Sequence, residues 1–144
     1  ESIFSALAGI KNKRIIILDM VKAEVLQGND SLRDWMDNLV IDNLEDRRQP
    51  DILVKYAEVL SHVQNNPCYA QAALHEWSKA TVADPWIIAA AAAKGYTIIT
   101  FEQTNANLSP KNPTKKVKIP DVARALGVKT QNLFYMMREL RFRL

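Results

Sequence analysis

With a single cysteine in 144 residues, Cys68, the chain has no internal disulfide, and that usage suits a reducing cytoplasm. It has only four glycines and no glycine-rich phosphate loop, which excludes nucleotide cofactors held by such a loop. No apolar run has the length of a membrane span, since the stretch from Ile87 to Ala93 is short and meets Lys94. No signal-peptide pattern opens the sequence. Both histidines, His62 and His75, lack Cys or acid at zinc-ligand spacing and read as ordinary helix residues. Cys68 follows Pro67 and has no histidine near it in sequence to activate it, so an inert thiol is expected. No internal repeat is visible.

What is present points to one domain over residues 1–144, because 48% hydrophobic content in a chain of this length supports a sizeable core. A net charge of +3 with a pI near 9.0 is mildly basic and compatible with a nucleic-acid partner. The organising stretch is residues 81–102. A buried helix is expected over residues 84–94, with Asp84 as N-cap, Pro85 in the first turn and Gly95 as the left-handed stop. A strand over residues 96–100 follows. At 1.5 Å per helical residue and about 3.3 Å per strand residue, the two legs have similar lengths of roughly 16 Å. The chain therefore returns, and Asp84 and Glu102 should share one edge, where open α/β sheets hold ligands.

Taken in order, residues 2–10 carry Ile3, Phe4, Leu7 and Ile10 at helical spacing, so a helix is expected there. Lys11, Asn12 and Lys13 break it. The run over residues 14–18 reads as a strand covered on both faces. Asp19 caps a helix containing Glu24 that stops at Gly28, and a second helix restarts after Ser31 with Trp35 on its apolar side. Residues 41–49 are charged and irregular. Pro50 opens a long helix that residues 65–67 end, and another spans residues 69–79. Residues 103–116, rich in Asn, Pro and Lys, read as the loop most prone to mobility. A short strand over 117–119, a helix over 120–126, a connection to residue 130 and a last helix over 131–141 complete the chain. Trp35, Trp77 and Trp86 lie on apolar helix faces and read as core. Short strands between longer helices indicate a three-layer α/β/α sandwich with a mostly parallel sheet.

Four acids gain interest from this layout. Glu24 and Asp121, like Asp84, fall where a strand gives way to a helix, and Glu102 follows a strand. Oxygen donors pooled from separate segments are what Mg²⁺ accepts, and a bound cation can generate a nucleophilic water and stabilise a phosphoryl group under attack. Taken alone, Asp84 and Asp121 read as helix caps, Glu24 as a solvated helix residue and Glu102 as an ordinary loop acid, and only their convergence makes the metal reading an equal one. Lys111, Lys115, Lys116 and Lys118 form a basic run beside this edge, either a solvated loop or a phosphate-steering face.

Longer motifs add a resemblance. Residues 21–35, from Val21-Lys22-Ala23-Glu24 through Asp34-Trp35, resemble the second acidic motif of PIN-like proteins, the small nucleases of toxin–antitoxin modules. Ala83-Asp84-Pro85-Trp86-Ile87-Ile88-Ala89 resembles their third acidic motif, which precedes an alanine-rich helix. Ile98-Ile99-Thr100-Phe101-Glu102 resembles the next strand with its terminal acid. Residues 116–122 and 133–140 resemble the C-terminal signature of one branch of that family. Together these cover nearly the whole chain in order, and their specificity lies in the set.

The resemblance implies a Rossmann-like fold and Mg²⁺- or Mn²⁺-dependent cleavage of RNA. By position it makes Glu24, Asp84 and Glu102 catalytic metal ligands, with Asp121 as a fourth, and it implies an antitoxin partner and a homodimer. Lys115, Lys116 and Lys118 are the expected RNA contacts. The family opens with a strand ending in an aspartate, and no such strand is expected before the first helix here. The chain begins at Glu1 without Met and reads as a fragment or processed product, so that first acidic motif has been cut away, lost, or was never present. A catalytically inactive PIN-like binding module is the corresponding alternative.

A different class of function competes. Residues 121–140 also read as a helix-turn-helix, with Gly127 at the turn and Thr130-Gln131-Asn132 opening a second helix toward base edges. Against it, Leu133, Phe134, Met136, Met137 and Leu140 place apolar surface on too many sides of that helix.

Overall fold

The structure, a computed structural model, describes residues 6–11, 14–18, 44–100, 102–132 and 135. Within these, a five-stranded sheet has the order β3-β2-β1-β4-β5. Its strands are β1 (Ala6–Lys11), β2 (Arg14–Leu18), β3 (Leu44–Glu45), β4 (Thr97–Thr100) and β5 (Thr130–Gln131). β1 lies at the centre and runs antiparallel to both neighbours, with Gly9 opposite Ile16 on one side and Ile98 on the other. β2 pairs with β3 in parallel, and β4 with β5 likewise. The expected mostly parallel sheet is thus a mixed one, in which β1 opposes the direction of the other four strands.

The central strand occupies residues expected to be helical. Ala6-Leu7-Ala8-Gly9-Ile10 is a short apolar run, and such runs fit strand and helix alike by periodicity. Gly9 weakens a helix interior by roughly 1 kcal/mol relative to Ala. Pairing on both sides then gives the β1 backbone its partners in ladders to β2 and β4. One irregularity interrupts the register with β4 between Ala6 and Ala8.

Four helices follow in the described chain: α1 (Pro50–Asn65), α2 (Gln71–Trp77), α3 (Asp84–Lys94) and α4 (Ile119–Ala125). α3 has the bounds expected from sequence, but Ala83 is its N-cap residue and Asp84 its first helical residue. Ile87, Ile88, Ala89, Ala90 and Ala91 are all buried, as a helix apolar on most sides must be. It packs against α1, α4, β1 and β4, and its alanines let those elements approach closely. Ile52, Val59 and Val63 of α1, Ile98 and Ile99 of β4, and Ile119 and Val122 of α4 complete the core. Asp51 at the start of α1 and Lys94 at the end of α3 form a 2.8 Å ion pair, so these helices run antiparallel.

Gly95 stands at φ 79°, and the N–H groups of Gly95 and Tyr96 both donate to the Ala91 carbonyl, at 2.9 and 3.0 Å. That cap turns the chain straight into β4. Trp77 is buried, whereas Trp86 is half-buried and stacks on Tyr56 with ring centroids 3.8 Å apart. The Arg47 guanidinium lies 5.7 Å from the Trp86 ring. Trp35, the helices expected over residues 19–39 and most of the expected last helix lie outside the described residues. Residues 117–118 form no strand, and Ile119 begins α4. No described helix is long and apolar enough to cross a membrane.

Candidate functional site

Strand directions define one edge of the sheet. β2, β3, β4 and β5 all end there, and β1 begins there with Ala6 opposite Thr100. Glu102 comes two residues after β4, on that edge. The chain also leaves β2 there, at Leu18, on its way to Glu24. Glu24 itself lies outside the described residues. Asp84 is the first residue of α3, the helix that the Gly95 turn joins to β4.

Glu102 and Asp121 are brought together through the backbone. The Ile119 N–H, at the start of α4, donates to Glu102 Oε1 at 2.9 Å. In return the Asn105 N–H, just after Glu102, donates to Asp121 Oδ2 at 3.0 Å. Each carboxylate therefore satisfies an N–H on the other's segment, which joins the end of β4 to the first turn of α4. The Glu102 N–H itself donates to Thr100 Oγ1 at 3.0 Å, and Thr100 is buried. Both acids are half-buried.

Tyr69 is a neighbour that sequence reasoning missed. It is 8% exposed, and its phenol is pushed up to about 12, chiefly by burial and further by the Asp121 carboxylate. Nothing in the local sequence signals this, because residues 69 and 121 meet only through tertiary structure. The Thr114 N–H donates to the Cys68 carbonyl at 2.9 Å and the Ala70 N–H to the Thr114 carbonyl at 2.8 Å, forming a parallel bridge between Tyr69 and Thr114.

The loop expected to be mobile, residues 103–116, is thus tied near its start at Asn105 and near its end at Thr114. Between these ties it folds on itself: the Asn107 N–H donates to Asn105 Oδ1, the Lys111 N–H to Ser109 Oγ, and the Lys116 N–H to Thr114 Oγ1. Such side-chain turns are what Asn, Ser and Thr supply. Lys111, Lys115 and Lys116 are exposed, and Lys118 is half-buried. Among the described residues none of the four has an ion-pair partner.

The donors fit a hard divalent cation in kind. Glu102 Oε2 and Asp121 Oδ1 are not engaged by these backbone bonds, and Mg²⁺ usually takes one or two carboxylates with water and substrate oxygens. Among the described residues no three His, Cys, Asp or Glu side chains form a group able to hold a metal ion.

The helix-turn-helix geometry does not form in the described part. Thr130 and Gln131, expected to open the reading helix, pair as β5 with Ile98 and Ile99 of β4. Gln131 and Asn132 are exposed, and Asn132 Oδ1 accepts the Tyr135 N–H at 2.9 Å in the manner of a helix cap. His62 is half-buried, with its imidazole pKa pushed down by burial. It lines an open groove of about 650 Å³ with Glu58, Ser61 and Leu126, among others. His75 is exposed, and Cys68 is a half-buried free thiol.

Compared with known proteins, residues 5–144 match the model of a family described as a domain of unknown function, DUF4411. No curated protein and no solved structure matches the chain.

Proposed function

The chain belongs to the DUF4411 family, whose function is unknown, and we propose that it is a PIN-like, divalent-metal-dependent ribonuclease of a toxin–antitoxin module. The observation that carries this reading is the crossed pair of Glu102 and Asp121, each carboxylate accepting a backbone N–H from the other's segment where β4 ends and α4 begins. Glu24 and Asp84 are the proposed further ligands, the first on the segment that leaves β2 at the same edge. Bound Mg²⁺ or Mn²⁺ would supply an activated water and offset charge on the phosphoryl group. Glu102 and Asp121 would hold it through Oε2 and Oδ1, while Lys115, Lys116 and Lys118 hold the RNA backbone. A three-layer, Rossmann-like arrangement, an antitoxin partner and a homodimer belong to the same proposal, by analogy with the PIN-like family.

Cleavage of a labelled RNA with Mn²⁺, with Mg²⁺ and with EDTA tests the reading. Glu24→Gln, Asp84→Asn and Glu102→Gln should each lower the metal-dependent rate by ~100-fold or more. Absence of metal-dependent cleavage by the unmodified chain rejects it. One observation favours a second reading, a binding module without catalysis: both carboxylates already serve backbone N–H groups, as capping acids do. RNA binding without cleavage in the same assay would select it.

A further inference from the structure

We propose that Glu102 and Asp121 act as a clasp that fixes the basic loop, residues 103–118, so that these carboxylates set how the chain grips nucleic acid even without a metal ion. A segment of this composition is mobile unless held. Here the holding groups are identifiable. Glu102, before the loop, reaches across to the Ile119 N–H behind it; Asp121, behind the loop, reaches back to the Asn105 N–H near its start. The bonds cross at the base, and both are charge-assisted, the stronger class of hydrogen bond. The Thr114 bridge pins the far part to the chain around Tyr69.

Lysine placement follows from these ties. Lys115 and Lys116 come directly after the pinned Thr114, and Lys118 directly before Ile119, whose N–H Glu102 holds. Cations held in one arrangement lose less conformational freedom on meeting a phosphate chain than cations on a loose one. The nucleic-acid half of this inference rests on the ribonuclease reading. The loop-fixing half does not.

Glutamine and alanine at Glu102 separate the clasp from metal binding. Glu102→Gln keeps a carbonyl oxygen that can accept from Ile119 N–H and loses the carboxylate charge; Glu102→Ala loses both. In EDTA, amide exchange across residues 105–118 should be ~10-fold faster in Glu102→Ala than in the unmodified chain. Affinity for a labelled single-stranded oligoribonucleotide should fall several-fold, although removing a negative charge would by itself tighten binding. Glu102→Gln, which keeps the bond but not its charge assistance, should fall between the unmodified chain and Glu102→Ala in loop exchange. Asp121→Ala and Asp121→Asn repeat the contrast from the other flank and replace the first pair if Glu102→Ala does not fold.

Unchanged loop exchange in both alanine variants overturns the clasp, and RNA affinity that stays level or tightens when the loop loosens overturns its part in gripping nucleic acid. Metal-dependent cleavage is scored separately. If the unmodified chain cleaves no RNA, the ribonuclease reading fails while the exchange contrast still decides the loop-fixing half.

Discussion

At the scale of single residues, half-burial changes what a side chain does with its proton. His62 sits in the groove beside Glu58 and Ser61, and burial lowers its pKa below the usual 6.5. A depressed folded-state pKa means that its contribution to stability is fully present above about 6.5 and is lost as pH falls through the lower folded value. His62→Gln, which stays neutral, should therefore flatten the decline in stability just below that pH in urea titrations. Tyr69 has the opposite displacement, so its contribution persists to about pH 10 and is lost as pH rises toward about 12. Asp46 is held down at about 2 by its side-chain and backbone hydrogen bonds to Arg48, but it is exposed and carries no comparable weight.

Elements are defined here mainly by how they end. α4 closes with the Val128 N–H donating to the Ala123 carbonyl at 2.8 Å and the Gly127 N–H to the Arg124 carbonyl at 3.1 Å, with Gly127 at φ 75°. This is the paired bonding of a Schellman cap. A Cβ at Gly127 would meet nothing within 4 Å, so the penalty for a side chain is conformational alone. Gly127→Ala should cost about 1–2 kcal/mol in chemical denaturation, and Gly127→Asn less, since Asn tolerates the left-handed region better. The cap also aims residues 128–131 along β4, where the Ile98 N–H donates to the Lys129 carbonyl at 2.9 Å. β5 and the C-terminal edge it shares with β4 thus depend on one glycine.

For the whole molecule, α3 is the common neighbour of α1, α4 and the sheet, and Ile88 within it is fully buried. Ile88→Ala should destabilise the fold by about 2–5 kcal/mol, read as a shift in the urea midpoint with little change in slope. Charge offers an independent test of the proposed RNA face. Reversing Lys115 and Lys116 to Glu should weaken RNA binding and flatten its dependence on log salt by roughly 0.7 for each phosphate no longer neutralised. Folding stability should barely move, because both side chains are exposed. An unchanged salt slope would exclude these two lysines from the interface.

Sequence alone determined the pieces whose signals are local. Asp84-Pro85, the alanine run and Gly95 dictate a buried helix with a left-handed stop, and α3 has those bounds. Pro50 opens α1, and the apolar run over residues 14–18 is β2, because turn chemistry and apolar patterning act within a few residues. Only tertiary structure decided that residues 6–11 are the central strand, since that choice depends on ladders to β2 and β4. It likewise decided that Gln131 extends the sheet and that residues 103–118 are tied down. The crossing of Glu102 and Asp121 is of the same kind: each carboxylate finds its N–H partner 16 or 17 positions away, beyond the reach of any local pattern.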